Sequence, residues 1–132
     1  MAAEGGEGDE AADEILAGVQ LPPTHPGRRS TYNKVLDRES WTHAVVSAAV
    51  VLEMEKEICR TARLVLGGVA PIPWRLAKVE TMLTGHRITP ELAAKAGETA
   101  IEGAQKLSKN AYKLPMTKAL VRRTLLALAT RA

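Results

Sequence analysis

The sequence predicts an α+β fold in which a small antiparallel sheet of three or more strands packs against about three helices. In the first half of the chain apolar residues alternate with polar ones, the period of a β-strand. In the second half they recur every three or four residues, the period of an α-helix. Strands that precede helices, rather than alternating with them, favour α+β over α/β. The chain has 132 residues, 45% of them apolar and none of them Phe, so we expect one domain with an aliphatic core.

The N-terminal region divides into two parts. Residues 1–12 are small and acidic, and we expect them to be flexible. Residues 13–29 are expected to form a strand and a linker, because Ile15, Ala17, Val19 and Leu21 alternate in "EILAGVQLPP" before two prolines end the pattern. The domain proper then spans residues 30–132.

Three strands are predicted after residue 30. The first is the short run "TYNKV"; the next two are Ala44–Val51 and Ile58–Leu66, joined near "EMEKE" as a hairpin. The stretch "VLEMEKEICR" taken alone also favours a helix, and it lacks the Gly or Asn-Gly of a tight hairpin. A helix through this region is therefore the competing prediction.

Three helices are predicted in the second half. The first starts near Pro73, runs through "WRLAKVETMLTG" and ends at Gly85. The second is capped by Thr89, starts at Pro90 and continues through "ELAAKAGETAIEGAQKL"; the third follows Pro115.

The sequence lacks the patterns of a self-sufficient enzyme. His25, His43 and His86 do not have metal-ligand spacing, Cys59 has no partner, and we expect no metal site. A lone Cys in a β-like run is typical of a small buried residue, and it excludes an internal disulfide. There is no phosphate-binding glycine loop. Since no apolar run is long enough to span a bilayer and the N-terminus is acidic, unlike a signal peptide, we expect a cytoplasmic protein without membrane insertion.

The charge distribution leaves one further class to consider. Residues 1–20 carry six acids and no base, whereas the rest of the chain is basic, a split that nucleic-acid binders with acidic tails can show. The bases are scattered among Glu residues and no aromatic residues are interleaved for base stacking. A solvated surface is therefore favoured over a nucleic-acid interface.

Four stretches resemble a known family. "TYNKVLDRESWTHAVVSAAVVL", "ARLVLGGVAPIPWR", "ETMLTGHRITPELAAKAGETA" and "NAYKLPMTKALVRRTLLAL" are similar, in order and spacing, to the C-terminal domain of the flavoprotein subunit of molybdenum hydroxylases, the xanthine dehydrogenase and carbon monoxide dehydrogenase group. The resemblance covers residues 13–128. It implies the α+β fold and favours the hairpin over the helix.

The resemblance also implies a function. In such enzymes a molybdopterin subunit hydroxylates the substrate, and electrons pass through [2Fe–2S] clusters to FAD and then to an acceptor. The glycine-rich FAD-holding part of the family has no counterpart in this sequence. We therefore expect FAD to be held mainly by a separate domain or chain, molybdopterin and [2Fe–2S] to lie in a large and a small partner subunit, and this chain to be an oxidoreductase component that is inactive alone.

The family's Tyr-x-Lys stretch lies close to the flavin, which makes Lys34 the first candidate for a cofactor contact. Tyr32 and Asp37 are further candidates. The structural alternatives are a surface lysine paired with Asp37 and a half-buried strand tyrosine. In "GGVAPIPWR" we expect a rigid corner in which Trp74 covers the seam and Arg75 bonds loop carbonyls.

Three functional hypotheses follow: a domain of the FAD electron-transfer subunit, a flavin-free assembly module of the same complex, and a basic nucleic-acid binder. The resemblance favours the first. Tyr112 is expected to anchor the last helix against the sheet.

Overall fold

In the described residues a four-stranded antiparallel sheet packs two helices against one face, and a third helix lies against those two. A computed structural model describes residues 15, 17–21, 23–39 and 43–130. The sheet order is β1-β2-β3-β4, and the α+β prediction is confirmed. The elements are β1 Arg28–Val35, β2 Val46–Glu55, β3 Ile58–Gly67, β4 Trp74–Arg75, α1 Ala77–Leu83, α2 Pro90–Thr99 and α3 Lys113–Ala129.

The region with two competing predictions is a hairpin. β2 and β3 pair from Ser47↔Gly67 to Glu55↔Ile58 and are joined by Lys56 and Glu57. Lys56 takes the left-handed φ of 55° that glycine usually supplies in such turns. A non-glycine residue adopts this conformation at a cost of roughly 1–2 kcal/mol. The long ladder on either side offsets that cost, so the helix alternative is wrong.

The core lies between the sheet and the helices. Alternate residues of β2 and β3 are buried, because successive side chains of a strand point to opposite faces. From the sheet these include Val46, Ala48, Val50, Leu52, Ala62, Leu64 and Leu66; from the helices they include Val79, Leu83, Ala96, Val121, Leu125 and Leu128. The core is aliphatic, as predicted.

The first helix begins later than predicted. Residues Trp74 and Arg75 form β4, which pairs with β3 through Val65↔Arg75 and Leu66↔Trp74. Ala77 is therefore the first helical residue, and not a residue near Pro73. The edge of β3 decides this boundary, because its free backbone groups find partners in β4. Gly85, with a φ of 81°, follows the end of α1 as predicted.

The second helix ends earlier than predicted. Its start is confirmed, since the Thr89 hydroxyl accepts a hydrogen bond from the Leu92 N–H at 3.2 Å and Pro90 is the first helical residue. It ends at Thr99, and residues 101–103 form a turn with Gly103 at a φ of 74°. Beyond Ala100 the side chains from 102 to 109 are exposed and bury no apolar surface that would prolong the helix.

The third helix begins at Lys113, so Pro115 lies within its first turn, where the missing N–H is not needed. Tyr112 remains 50% exposed and does not anchor the helix as predicted. Lys113 makes that connection, because its Nζ donates to the Gly68 carbonyl at 2.7 Å. Among the described residues no helix is long and apolar enough to cross a membrane.

The predicted N-terminal strand is not formed in the described part of its segment. Ile15 and residues 17–21 lie outside the sheet and are exposed. A strand needs a hydrogen-bonded neighbour, and none of the strands in the described residues pairs with this segment. The predictions for residues 1–12, and for Asp13 and Glu14, fall outside the described residues.

A buried carboxylate joins α1 to the sheet. Glu80 is 5% exposed, and its Oε1 accepts a hydrogen bond from the Leu64 N–H at 3.0 Å, on the edge of β3. Arg75 donates to both carboxylate oxygens, with its Nη2 2.7 Å from Oε2, and Arg63 approaches at 3.4 Å. Burial raises the pKa of Glu80, but the hydrogen bonds from Arg75 and Leu64 outweigh it, so the pKa lies below the ordinary value. Arg75 thus bonds a carboxylate and not loop carbonyls.

Candidate functional site

The face of the sheet opposite the helices is open. Residues in register share a face, so the row Tyr32–Ala49–Val65–Arg75 crosses this side of the sheet. Tyr32 is 59% exposed and Ala49 is exposed, in contrast to the buried neighbours on the helix face. We call this surface the open face. Apolar side chains lie in the middle of this row, and Arg75 lies at one end of it.

Two of the three predicted site residues are brought together on the open face. Tyr32 and Lys34 are two residues apart in β1, so both point away from the helices. The Lys34 Nζ lies 5.4 Å from the centroid of the Tyr32 ring, within the range of a cation–π contact. The pair places a positive charge beside an exposed aromatic ring at the edge of the sheet.

Asp37 does not join this pair. It follows the end of β1 in an exposed bend, and the ion pairs formed among the described residues do not include one between Lys34 and Asp37. The structural alternative for Lys34, an ion pair with Asp37, is therefore wrong. Lys34 is instead held next to Tyr32.

The opposite side of β1 fixes the strand against α3. The Asn33 Nδ2 donates to the Thr124 Oγ1 at 2.9 Å. The Arg29 Nη1 donates to the carbonyls of Leu128 and Ala129 at 3.0 and 2.8 Å, where helix carbonyls lack intrahelical partners. These residues were not predicted as part of the site. The sequence feature that could have indicated them is the placement of polar residues at the alternate positions of β1 that face the helices.

A cleft runs along the outer edge of β1, between this strand and α3. It has a volume of about 470 Å³. Lys34 and Arg123 contribute to its walls, and Met116 and Leu120 supply apolar surface. Arg123 therefore brings a cation to the cleft, while the Lys34 ammonium lies beside Tyr32 on the open face.

The Gly/Pro corner forms a second, smaller cleft of about 250 Å³ at the other end of α3. Val69, Trp74, Ile101, Lys113 and Leu114 line it. Trp74 is 53% exposed, so it lines this cleft and does not cover the seam as predicted. Gly68 is required in the corner, because its φ is 75° and an added Cβ would lie 2.8 Å from the Val45 carbonyl oxygen.

Cys59 carries the only thiol in the sequence, and its burial makes it unreactive. Its side chain is fully buried, and burial raises the pKa of the thiol to about 11. The thiolate, which is the reactive form, is therefore scarce at neutral pH. The interpretation of Cys59 as a small buried residue is confirmed.

The comparisons with known proteins converge on one family. Residues 30–128 match the family model described as the CO dehydrogenase flavoprotein C-terminal domain. The chain belongs to this family. β1 begins at Arg28, two residues before the first matched residue.

Two oxidoreductase chains are similar to this chain. The aldehyde oxidoreductase FAD-binding subunit PaoB of Escherichia coli K12 is 31% identical over 105 residues, which cover 80% of this chain and 30% of that subunit. Quinoline 2-oxidoreductase from Pseudomonas putida 86 has a chain that matches with a TM-score of 0.71 at 29% identity, over 79% of this chain and 38% of that one.

A carbon monoxide dehydrogenase from Hydrogenophaga pseudoflava, in a form that lacks the Mo-pyranopterin moiety of the molybdenum cofactor, matches with a TM-score of 0.74 at 28% identity. The match covers 82% of this chain and 39% of the dehydrogenase chain. The chain thus spans well under half the length of these relatives.

Proposed function

We propose that this chain is part of the FAD-containing electron-transfer subunit of a multi-subunit molybdenum hydroxylase, and that it helps to pass electrons from [2Fe–2S] clusters through FAD to an acceptor. The observation that carries the proposal is the Tyr32–Lys34 pair, exposed on the open face within the family's Tyr-x-Lys stretch. The FAD-binding subunit of an aldehyde oxidoreductase and a carbon monoxide dehydrogenase among the relatives support it.

The residues present fit one end of a flavin. Reduced flavin carries negative charge around N1 and the C2 carbonyl, and a nearby cation stabilises that charge. Lys34 supplies such a cation without a carboxylate partner in the described residues, and the Tyr32 ring offers apolar contact beside it. Asp37 remains a candidate of lower rank, since it lies in the bend that follows the strand.

The same residues do not fit the rest of FAD. The cofactor's pyrophosphate needs a glycine-rich loop or a comparable set of backbone N–H groups, and the sequence contains no such loop. We therefore propose that a separate chain or domain holds FAD and packs against the open face, because the other face is already covered by helices. Molybdopterin and [2Fe–2S] clusters would belong to a large and a small partner subunit, in a cytoplasmic complex.

Replacing Lys34 tests the flavin contact. In the assembled, FAD-loaded complex we expect Lys34→Met to lower the flavin reduction potential, because the variant loses a charge that stabilises the reduced form. A loss of about 1.4 kcal/mol would correspond to about 30 mV for a two-electron couple, and we expect a fall of that order. Spectroelectrochemical titration of the flavin measures it.

Two matched variants control this experiment. Lys34→Arg keeps the charge and should retain most of the potential, whereas Lys95→Met removes an exposed charge from α2 and should change nothing. An unaltered potential in the Lys34→Met complex would reject the flavin contact and favour the flavin-free assembly module. Equal denaturation midpoints of the isolated variants would exclude unfolding as the cause.

The isolated chain provides a second test. Since FAD is proposed to be held elsewhere, we expect the purified chain to be colourless and to associate through its exposed apolar surface, which includes Ile15, Val19 and Leu21 at 91%, 74% and 80% exposure. Size-exclusion chromatography with detection at the flavin absorbance bands measures both properties. A stable yellow monomer would show that the domain holds flavin without a second chain and would overturn this part of the proposal.

A further inference from the structure

The cleft at the Gly/Pro corner, which we call the corner cleft, has walls that side-chain hydrogen bonds hold in place. The Lys113 Nζ donates to the Gly68 carbonyl at 2.7 Å and ties the corner to the start of α3. In the loop that follows α2, the Asn110 Oδ1 accepts a hydrogen bond from the Leu107 N–H at 2.7 Å. Both the corner and this loop line the cleft. The cleft is therefore preformed, which lowers the entropic cost of binding.

Exposed apolar side chains are concentrated around the corner cleft. Nine large apolar side chains are exposed in the described residues from 28 to 130, and five of them belong to the corner or to the loop after α2. These five are Val69, Ile72, Trp74, Leu107 and Tyr112. Single exposed apolar residues are normal on a protein surface, but a group of them in adjoining segments marks an interaction surface.

The corner cleft is separate from the open face. Trp74 pairs in register with Leu66, and paired residues share a face of the sheet. Leu66 is buried in the core between the sheet and the helices, so Trp74 lies on the helix side of the sheet edge. The next residue, Arg75, belongs to the open face. A molecule bound in the corner cleft therefore leaves Tyr32 and Lys34 accessible.

The volume of the corner cleft indicates what it can hold. It is about 250 Å³. A cavity of about 150 Å³ holds a benzene ring, whereas sites for small-molecule ligands and cofactors measure about 300–1,000 Å³. The cleft is thus large enough for one aromatic side chain and small for a cofactor. Pockets that accept a single aromatic anchor are typical of the centre of a protein–protein interface.

The charges that line the corner cleft favour an acidic partner. Lys106 and Lys113 line it, and neither takes part in the ion pairs formed among the described residues. The acid in the lining is Glu102, whose Oε2 lies 3.5 Å from the Lys78 Nζ. Since the partner of the Lys113 ammonium is a neutral carbonyl, its charge stays uncompensated. Carboxylates beside the anchor of a partner would balance this excess.

We propose that the corner cleft docks an acidic segment of another protein chain, which inserts one aromatic side chain into the cleft and places carboxylates near Lys106 and Lys113. The buried ring supplies most of the affinity, because exposed charge pairs contribute little, and the charges select the partner. In a multi-subunit complex the cleft would bind a subunit other than the one on the open face. That consequence rests on the proposed function, whereas the docking itself does not.

Titration of the full chain with a defined peptide tests the docking. The probe is an acetylated and amidated pentapeptide in which one Phe lies between two pairs of Asp. In ¹⁵N-labelled protein we expect saturable shifts of the amide signals of residues 66–70 and 101–114, and none from residues 30–34. A peptide with Ala in place of Phe should bind about tenfold more weakly, the ratio expected for one buried aromatic side chain. A peptide with Lys in place of Asp should also bind more weakly.

The titration can overturn the proposal in three ways. The first is an absence of saturable shifts in these residues up to about 10 mM peptide, beyond the range of a specific contact. The second is equal binding of the Ala or the Lys peptide. The third is phenylacetate binding as tightly as the peptide, which would assign the cleft to a small aromatic acid. No flavin is involved, so none of these results bears on the flavin contact of Lys34.

Matched variants identify the groups responsible. Trp74→Ala should weaken binding about tenfold, and Leu107→Asn several-fold, because both remove apolar surface at the cleft. Lys106→Gln should weaken it about twofold. Leu36→Asn and Lys95→Gln make the same changes at exposed positions elsewhere and should leave the affinity unchanged. Natural affinity in Trp74→Ala, or equal losses in the control variants, would overturn the proposal. Unchanged amide signals away from the cleft exclude unfolding as the cause.

Discussion

Replacing Glu80 by Ala is expected to reduce the free energy of unfolding by about 2–3 kcal/mol, somewhat less than the roughly 3–5 kcal/mol for removing one partner of a fully buried charged pair. The carboxylate is 5% exposed and satisfies the Leu64 N–H on the edge of β3. The variant leaves that N–H without its acceptor and separates α1 from the Arg75 guanidinium. Arg63 and Arg75 are partly solvated, which keeps the loss from being larger. Urea denaturation followed by circular dichroism measures it.

The contribution of Glu80 should depend on pH in a defined direction. Its pKa in the folded chain lies below the ordinary value of 4.5. The stabilisation is therefore complete above that value and is lost as the pH falls through the lower folded-state pKa. The difference in denaturation midpoint between the natural chain and Glu80→Ala should shrink over this acidic range and stay constant from weakly acidic to neutral pH.

Glu102→Ala is the matched control, since Glu102 forms an exposed ion pair with Lys78 and accepts only a long, exposed hydrogen bond from the Thr99 hydroxyl. We expect that variant to keep the natural midpoint, as surface pairs contribute little. If Glu80→Ala were no more destabilising than Glu102→Ala, Glu80 would not be the link between α1 and the sheet.

Gly97→Val is the second substitution with a large expected effect. Gly97 is buried in α2 where this helix meets α3, and an added Cβ would lie 2.8 Å from the Lys118 carbonyl oxygen and 3.5 Å from its Cα. Both are backbone atoms, so the helices must move apart. Overpacking of this kind costs roughly 1–3 kcal/mol, and a branched side chain at a backbone contact should reach the upper part of that range. Thermal and urea denaturation should both show the loss.

Ala94→Val supplies the comparison, because position 94 is exposed on the same helix. A valine there should lower the free energy of unfolding only through its weaker helix propensity, by at most about 0.7 kcal/mol. Helix propensity alone favours Val over Gly at position 97 and would make the variant more stable. The steric clash would make it less stable, so the sign of the change in the free energy of unfolding separates the two effects. Equal stability of Gly97→Val and the natural chain would mean that α2 and α3 are not in close backbone contact.

Much of the fold could be predicted because its signals are local. Thr89 and Pro90 mark the start of α2 through a cap and a fixed φ, and the alternation in Ile58–Leu66 marks a strand that is buried on one side. The start of α1 and the end of α2 could not be predicted in this way. Trp74 and Arg75 became a strand because β3 offered a free edge, and residues beyond Ala100 left the helix because nothing packs on them.

The candidate site was also predictable only in part. Lys34 and Tyr32 could be selected from the sequence by a family motif and by their spacing of two, which places them on one face of a strand. That this face is the open one depends on where the helices pack. Asn33 and Arg29 hold β1 against residues of α3 that are 91 to 100 positions away in the chain, and no local pattern shows such a pairing.

The sequence by itself determined the fold class, the family, the aliphatic core and the two residues of the exposed pair, since each depends on composition, periodicity or a motif within a few residues. Only the tertiary structure decided that Arg75 bonds Glu80, that Lys34 contacts Tyr32 and not Asp37, and that a cleft lies between β1 and α3. The physical reason is competition for partners. A charged or hydrogen-bonding group takes the partner that folding brings nearest in space, and that choice depends on how distant elements pack, not on neighbours in sequence.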